Sequence, residues 1–443
     1  MSAAAPTLDV RPKILTRLAE ARASTDELFR LVHPAALYER PIPERHRIVF
    51  YIGHLETFDW NLIGQHALGL GQADKSLDRL FAFGIDPVNG TLPSDQPTDW
   101  PSEEEVRRYS QCARRQVDAA LQKASFADSE FPLLLDGYLL HVAIEHRLMH
   151  AETLTYMLQR LPFHQKRIPP AKKTVSASAV RPGMVEIPGG MATLGMHRGR
   201  GHPFGCDNEF QRLAVRVPPF RIDVYNVTNG EFLEFIRCGA YEDCSFWASA
   251  DWEWKASAEI HHPLFWNKTA DGWIFRTIFA EVPLPLQWPA YVSHAEASAY
   301  ARWKGKSLPT EAQWHRAAVG TPEGVERSYP WGNDLPAPQH GNFNFQSWDP
   351  APVGTSPGGN SAFGVADLMG NGWEWTRTLF EPLPGFERFS FYPGYSADFF
   401  DGKHFVLKGA SPRTAMCMLR RSFRNWFQPQ YPYAYASFRC VEN

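Results

Sequence analysis

Several features that would place a protein quickly are missing from this sequence. No apolar run approaches the roughly 18 residues that cross a bilayer, and the amino terminus, MSAAAPTLDV, has neither a basic start nor an apolar stretch. Neither a membrane span nor a secretory leader is expected, so the expected location is the cytoplasm. The six cysteines, Cys112, Cys206, Cys238, Cys244, Cys417 and Cys440, contain no C-x-x-C pair. That argues against a zinc ribbon or a thioredoxin-like motif and for reduced, mostly buried thiols. A net charge of -3 without any basic stripe gives no reason to bind nucleic acid or an anionic membrane. Small-molecule substrates are the expectation, and the composition sets no oligomeric state. There is no internal repeat and no low-complexity tract.

What is present divides in two. At 443 residues the chain exceeds one ordinary domain, and 15 tryptophans and 36 prolines crowd toward its second half. Residues 10–165 read as four helices: RPKILTRLAEARASTDELFRLV, the stretch around YIGHLETFDWNLIGQHAL, SEEEVRRYSQCARRQVDAALQKA and FPLLLDGYLLHVAIEHRLMHAETLTYMLQRL. Apolar residues recur at spacings of three and four in each, so an all-α four-helix bundle is expected. Ser102 and Glu105 form a capping box for the third helix. Between the second and third helices lies FGIDPVNGTLPSDQPTDWP, a long loop of the kind that carries function. Residues 166–181 are basic, then small and polar, and read as a linker. Residues 182–443 alternate short strands with Gly, Pro and Asn turns; only NGEFLEFIRC and HAEASAYARWKGK read as helices, an α+β pattern.

Within the fourth helix, His146 and His150 are four residues apart. That places both imidazoles on one face, about 6 Å apart along the axis, which is chelating geometry. The zinc-protease signature would have Glu after the first His; here Arg147 stands there, so that chemistry is disfavoured. A third ligand must come from elsewhere in the bundle, where His33, His46, His54, His66 and His141 are available. Five residues place His141 about 140° around the helix from His146, facing away. Without further context the pair could equally be solvated or satisfied core residues.

The string His146, His150, Glu152, with Gly53–His54–Leu55 upstream, resembles the iron-binding half of the ergothioneine-type sulfoxide synthases, a DinB-like four-helix bundle. The resemblance implies that His54, His146 and His150 hold Fe(II), with positions left for two substrates and O2. Glu152 lies off that face, as a supporting or structural residue. From residue 182 onward, MVEIPGGMATLGM, FRIDVYNVTNGEF, AYARWKGKSLPTEAQWHRAA, YPWGN, GVADLMGNGWEWT, VLKGAS and SFRNW resemble the formylglycine-generating-enzyme fold, which is C-type-lectin-related. Trp331, Trp373 and Trp375 are expected as core aromatics, with Gly370 and Asn371 in a tight turn. Formylglycine generators bind copper through two cysteines near the VLKGAS-like strand, whereas Cys417 stands there without a second, so that activity is not expected.

In the synthases this domain covers the iron site. The resemblance gives Asn425 and Trp426 the binding of hercynine, through its carboxylate and its trimethylammonium. It also implies a tyrosine that delivers a proton or hydrogen, either Tyr392 or Tyr395. Departures from the family pattern bear on the second substrate. Met149 stands where a hercynine-binding Gln is frequent, while Phe427 and Tyr431 replace an Asp and an Arg that hold an anionic thiol peptide. No Lys or Arg lies between Arg79 and Arg107, and the tyrosine pair that cysteine-using relatives carry in this loop is absent. Asp86, Asn89, Asp95, Asp99 and Trp100 in this loop suit a neutral, hydroxyl-rich donor. The selenoneine synthase branch, which joins a selenosugar to hercynine, fits this description; a thiol donor and a non-catalytic lectin-like binding role are the alternatives.

Overall fold

The computed structural model describes residues 11–82, 92–126, 132–169, 180–199 and 203–443. The chain divides into two compact units, Met1–Pro169 and Pro170–Asn443. The first unit is helical: α1 Arg11–Leu31, α2 Ile48–Asp59, α3 Lys75–Leu80, α4 Glu103–Leu121 and α5 Tyr138–Arg160. The four long helices pack as α1 on α5 and α2 on α4. The expected capping box starts α4, with the Ser102 N–H donating to the Glu105 carboxylate at 3.0 Å. The short helix α3 is an addition to the expectation, nucleated by Asp74, whose carboxylate accepts from the Ser76 and Leu77 amides at 3.0 and 3.1 Å. Helix α2 runs on into a π-helical segment, Trp60–Ala67, a widening frequent at functional sites.

Almost every residue of α5 is buried, including His146, Arg147 and His150. A buried charge on such a helix must be paired. Arg147 reaches Glu56 at 2.9 Å and Asp59 at 2.8 Å and donates to the Leu55 carbonyl at 2.9 Å. Asp59 also faces Arg22 of α1 at 3.5 Å, and Glu56 accepts from Arg114 of α4 at 2.6 Å. Arg114 continues to Asp26 of α1 at 2.8 Å. All four long helices are tied by this one network. Burial alone would raise the pKa of Glu56, but Arg147 and Arg114 outweigh it and bring it down to about 2.

The first residues of the expected linker belong to the helical unit. The Arg167 amide donates to the Leu31 carbonyl at 2.7 Å, and the buried Lys166 donates its ammonium to Leu158 O at 2.9 Å.

The second unit is built from small sheets. Its strands are β1 Met184–Ile187, β2 Gly190–Leu194, β3 Leu213–Val217, β4 Phe220–Asp223, β5 Trp266–Thr269 and β6 Gly272–Arg276. They continue as β7 Glu281–Pro283, β8 Gly372–Leu379, β9 Phe405–Ala410, β10 Asn425–Phe427, β11 Ala436–Ser437 and β12 Val441–Glu442. Sheet orders are β1-β4-β12, β10-β9-β8-β11, β2-β3 and β5-β6-β7. Helices α6 Asn229–Arg237 and α8 His294–Trp303 fall on the two expected segments, and α7 Ser249–Ser257 and α9 Glu311–Val319 add to them.

Trp373 and Trp375 of β8 are buried, and Glu374 between them is held by Arg439 at 2.6 and 2.7 Å and by the Trp314 indole at 2.8 Å. Trp331 departs from the expected core placement: it is half-buried, stacked between Tyr329 and His340. Only Cys206 and Cys440 are buried, while Cys238 and Cys244 are exposed, so the cysteines are free but not mostly internal. Among the described residues no helix is long and apolar enough to cross a membrane.

Removing the Arg147 side chain leaves Glu56 and Asp59 buried without their central cation, an imbalance that costs about 3–5 kcal/mol. Urea unfolding of Arg147→Met should show that loss. The exposed pair Arg237 and Glu234 at 3.1 Å is the control, where Arg237→Met should change stability by less than about 0.5 kcal/mol. Equal effects would contradict the central role of Arg147.

Candidate metal centre

Two elements bring three histidines together. On α5, one turn separates His146 and His150, and their Nε2 atoms lie 3.1 Å apart. From α2, His54 faces both, its ring centroid 5.2 Å from His146 and 5.0 Å from His150. One ligand atom from each residue lies within 4.8 Å of the others, and no other such group of His, Cys, Asp or Glu exists among the described residues. All three are buried, at 6%, 4% and 4% exposure. The remaining histidines of the unit go elsewhere. His33 and His66 are exposed, His46 packs on Phe50, and His141 meets Arg17 at 3.2 Å, on the side the helical angle predicts.

The tautomer of His54 is fixed by its neighbour. Its Nδ1 lies 2.8 Å from the Phe81 carbonyl, which can only accept, so Nδ1 carries the hydrogen and Nε2 keeps its lone pair. Gly53 makes this contact possible, since a Cβ there would lie 2.5 Å from the Phe81 ring. Aromatic rings hold the imidazoles in place: Phe58 stacks on His146 at 3.5 Å, Phe50 on His54 at 4.8 Å, and Tyr51 meets His150 edge-on at 5.6 Å.

Burial lowers the pKa of all three histidines, that of His54 to about 4 despite the Phe81 hydrogen bond, and those of His146 and His150 well below the usual value. Each is therefore a neutral imidazole near pH 7, the form that ligates a metal. The spacing fits as well. Two nitrogens about 2.1 Å from a shared ion and at right angles are about 3.0 Å apart, close to the 3.1 Å between His146 and His150. Arg147 takes no part in this face; its guanidinium is committed to Glu56 and Asp59.

The other expected site residues fall as follows. Met149 is half-buried on α5 beside His150, and Asp86 and Asn89 lie outside the described residues. In the second unit Tyr395 is buried, Tyr392 is half-buried with its ring 5.5 Å away, and the Tyr395 ring meets Trp426 at 5.6 Å and 86°. Trp426 stacks on Phe380 at 4.3 Å, and Asn425 turns its Oδ1 to the Trp426 amide at 2.9 Å. Phe427 and Tyr431 form a parallel pair 4.8 Å apart at 3°.

The reading of the long loop needs one correction. Although no Lys or Arg occurs in it, Asp95 is paired with Arg40 and with Arg47 at 3.0 Å, and accepts from the Trp100 indole at 2.7 Å. Counter-charges thus reach this loop from the segment before α2, and Asp95 is already satisfied. Phe81, Glu56 and Asp59 were not apparent as site residues, the first because it acts through its backbone. The acids had a visible signal: Glu56 and Asp59 are three residues apart on α2, complementing the charge of Arg147.

A sulfatase-modifying factor enzyme 1-like domain matches residues 171–443, and the DinB superfamily matches residues 17–154. A hercynine oxygenase from Mycolicibacterium thermoresistibile is 32% identical over 452 residues, covering 97% of this chain and 95% of that protein. A hercynine oxygenase from Mycobacterium tuberculosis is 40% identical over 242 residues, covering 54% and 56%. The ergothioneine biosynthesis protein 1 of Neurospora crassa is 28% identical over 494 residues, covering 92% of this chain and 55% of that protein. The matches thus span about half of the latter two relatives and nearly all of the first. A DinB-type helical unit followed by a sulfatase-modifying-factor-type unit is the class these features define. Within it, the chain belongs to the ergothioneine-type sulfoxide synthase family, a family of enzymes.

Three outcomes follow from the geometry. A base whose pKa is lower in the folded than in the unfolded chain takes up its proton on unfolding, so the metal-free protein should lose stability as pH falls from about 6.5, the usual histidine value, toward 4. Its urea midpoint should drop over that interval, and a midpoint flat from pH 7 to 5 would contradict the buried neutral histidines. Loading with Fe(II) under argon at about 100 times Kd should raise the stability of the wild type by about 2.7 kcal/mol and leave His146→Ala unmoved. Gly53→Ala, which displaces Phe81, should bind the metal about tenfold more weakly.

Proposed function

We propose that this chain catalyses the Fe(II)- and O2-dependent oxidative joining of a sulfur or selenium donor to C2 of the hercynine imidazole. The observation that carries the proposal is the buried, neutral triad of His54, His146 and His150 in a chain that aligns with 95% of a hercynine oxygenase. Bound by the triad, Fe(II) would supply dioxygen activation and a common attachment point for the two substrates. A non-catalytic lectin-like protein has no use for three converging imidazoles.

The remaining roles belong to the chain's own side chains. Asn425, its Oδ1 occupied by the Trp426 amide, presents its NH2 group as donor to the hercynine carboxylate. The Trp426 indole, steadied by Phe380 and Tyr395, receives the trimethylammonium by cation–π attraction. Tyr392 or Tyr395 delivers the proton or hydrogen that controls the oxidation, and Met149 contributes an apolar contact in place of an amide.

For the donor we favour a selenosugar, as in a selenoneine synthase. Phe427 and Tyr431 support this reading: where thiol-peptide users carry an Asp and an Arg, this chain has a stacked aromatic pair without charge. A thiol donor is the second reading, favoured by the relatives' place in ergothioneine biosynthesis.

Aerobic incubation of the Fe(II) protein with hercynine and, separately, cysteine, γ-glutamylcysteine and a selenosugar, followed by mass analysis, tests both levels. A carbon–selenium adduct with the sugar alone is expected. Product with γ-glutamylcysteine only would overturn the donor reading, and no product with any donor would overturn the enzyme reading. Trp426→Leu should weaken hercynine binding by about 0.5–2 kcal/mol in titration calorimetry.

A further inference from the structure

Three consecutive buried residues, Asp207, Asn208 and Glu209, at 0%, 1% and 0% exposure, form a short turn ahead of β3. The two acids hold different stretches of chain. Asp207 accepts from the Ser396 hydroxyl at 2.6 Å and from the Phe389 amide at 3.3 Å, the two ends of segment 389–396. That segment carries Tyr392 and Tyr395. Glu209 accepts from Arg420 through both carboxylate oxygens, at 2.5 and 2.7 Å, and from the Ser422 hydroxyl at 2.7 Å. Those residues lead directly into Asn425 and Trp426. The Asn208 carbonyl sits 3.5 Å from Arg424, which also donates to Glu381 O at 2.9 Å and lies over the Phe380 ring that supports Trp426.

We propose that Asp207 is the positioning residue of the tyrosine segment: it clamps both ends of 389–396 and so sets the placement of Tyr392 and Tyr395 against Trp426. The inference rests on the reading of these tyrosines as participants in the reaction. Geometry favours a dedicated clamp. The turn is continuous and buried, its two carboxylates lie two residues apart, and the pieces they hold meet at the Tyr395–Trp426 contact of 5.6 Å. Inside the segment the Tyr395 amide donates to Tyr392 O at 3.2 Å. Burial raises the pKa of Asp207, against the bonds from Ser396 and Phe389, so this acceptor is costly to keep inside unless it is used.

The test uses the full chain loaded with Fe(II). Ser396→Ala removes one end of the clamp, Asp207→Asn keeps the shape and part of the accepting capacity, and Asp207→Ala removes both ends. Amide hydrogen exchange in 389–396 should quicken about tenfold in Ser396→Ala, with residues 425–427 unchanged. In turnover, kcat should fall about tenfold while the hercynine KM stays within about threefold, and Asp207→Asn should fall between wild type and Asp207→Ala. In a Tyr392→Phe/Tyr395→Phe background, Ser396→Ala should lower kcat no further, because a residue acting through the tyrosines has nothing left to act on.

Unchanged exchange in 389–396, or a full additional loss in the tyrosine-free background, overturns the inference and leaves the proposed reaction standing. Wild-type turnover in the tyrosine-free protein sinks the tyrosine reading and the inference together. If the wild type makes no product from hercynine, the proposed reaction fails, and the exchange measurement by itself decides whether Asp207 holds the segment.

Discussion

The three-histidine group depends on a charge that is not one of its ligands. Arg147 follows His146 in sequence, and the carbonyl it holds at 2.9 Å belongs to Leu55, which follows His54. One hydrogen bond between α5 and α2 therefore sits a single residue away from a histidine of the group on each side. Glu56 and Asp59 complete the grip, and Arg22, Asp26 and Arg114 extend it to α1 and α4. Buried ion pairs are often matched in stability by well-packed apolar residues of similar volume. The reason for this one is better sought in position: an apolar contact tolerates sliding, whereas a guanidinium with several fixed acceptors does not.

The same guanidinium also acts on the electrostatics of the site. It is among the causes that lower the pKa of each of His54, His146 and His150, after burial. A cation behind the three histidines, where no imidazole bonds to it, adds to the effect of burial in keeping them neutral. Arg147 thus fixes geometry and adds to the burial that sets the protonation state. Both effects favour an arginine over a leucine between His146 and His150 on a mostly apolar helix.

Sequence reached this site unevenly, for physical reasons. His146 and His150 were legible because their relation is local, a matter of helical pitch. His54 was one histidine among five by pattern, and it took a family resemblance to single it out; its nearness is a tertiary fact, fixed by the packing of α2 near α5. Phe81 was out of reach, since it works through a carbonyl that every residue possesses. The loop before α4 misled in the opposite sense, because a stretch free of arginine in sequence is met in space by Arg40 and Arg47. Among the helices, α3 spans six residues, too few turns for periodicity to speak, whereas α9 matches α6 in length and had a Thr310 to Gln313 cap there to be read.

In the proposed reaction the second unit would govern the choice of donor, through what an aromatic surface does not hold. The face of an aromatic ring is electron-rich, so it attracts a trimethylammonium and repels a carboxylate. With Phe427 stacked on Tyr431 at 4.8 Å and Tyr433 against Tyr431 at 5.0 Å, an anionic peptide placed on these rings would lose water and gain no counter-charge from them. A neutral donor loses much less. Discrimination of that kind is built by removing partners from the wrong ligand rather than by adding contacts to the right one.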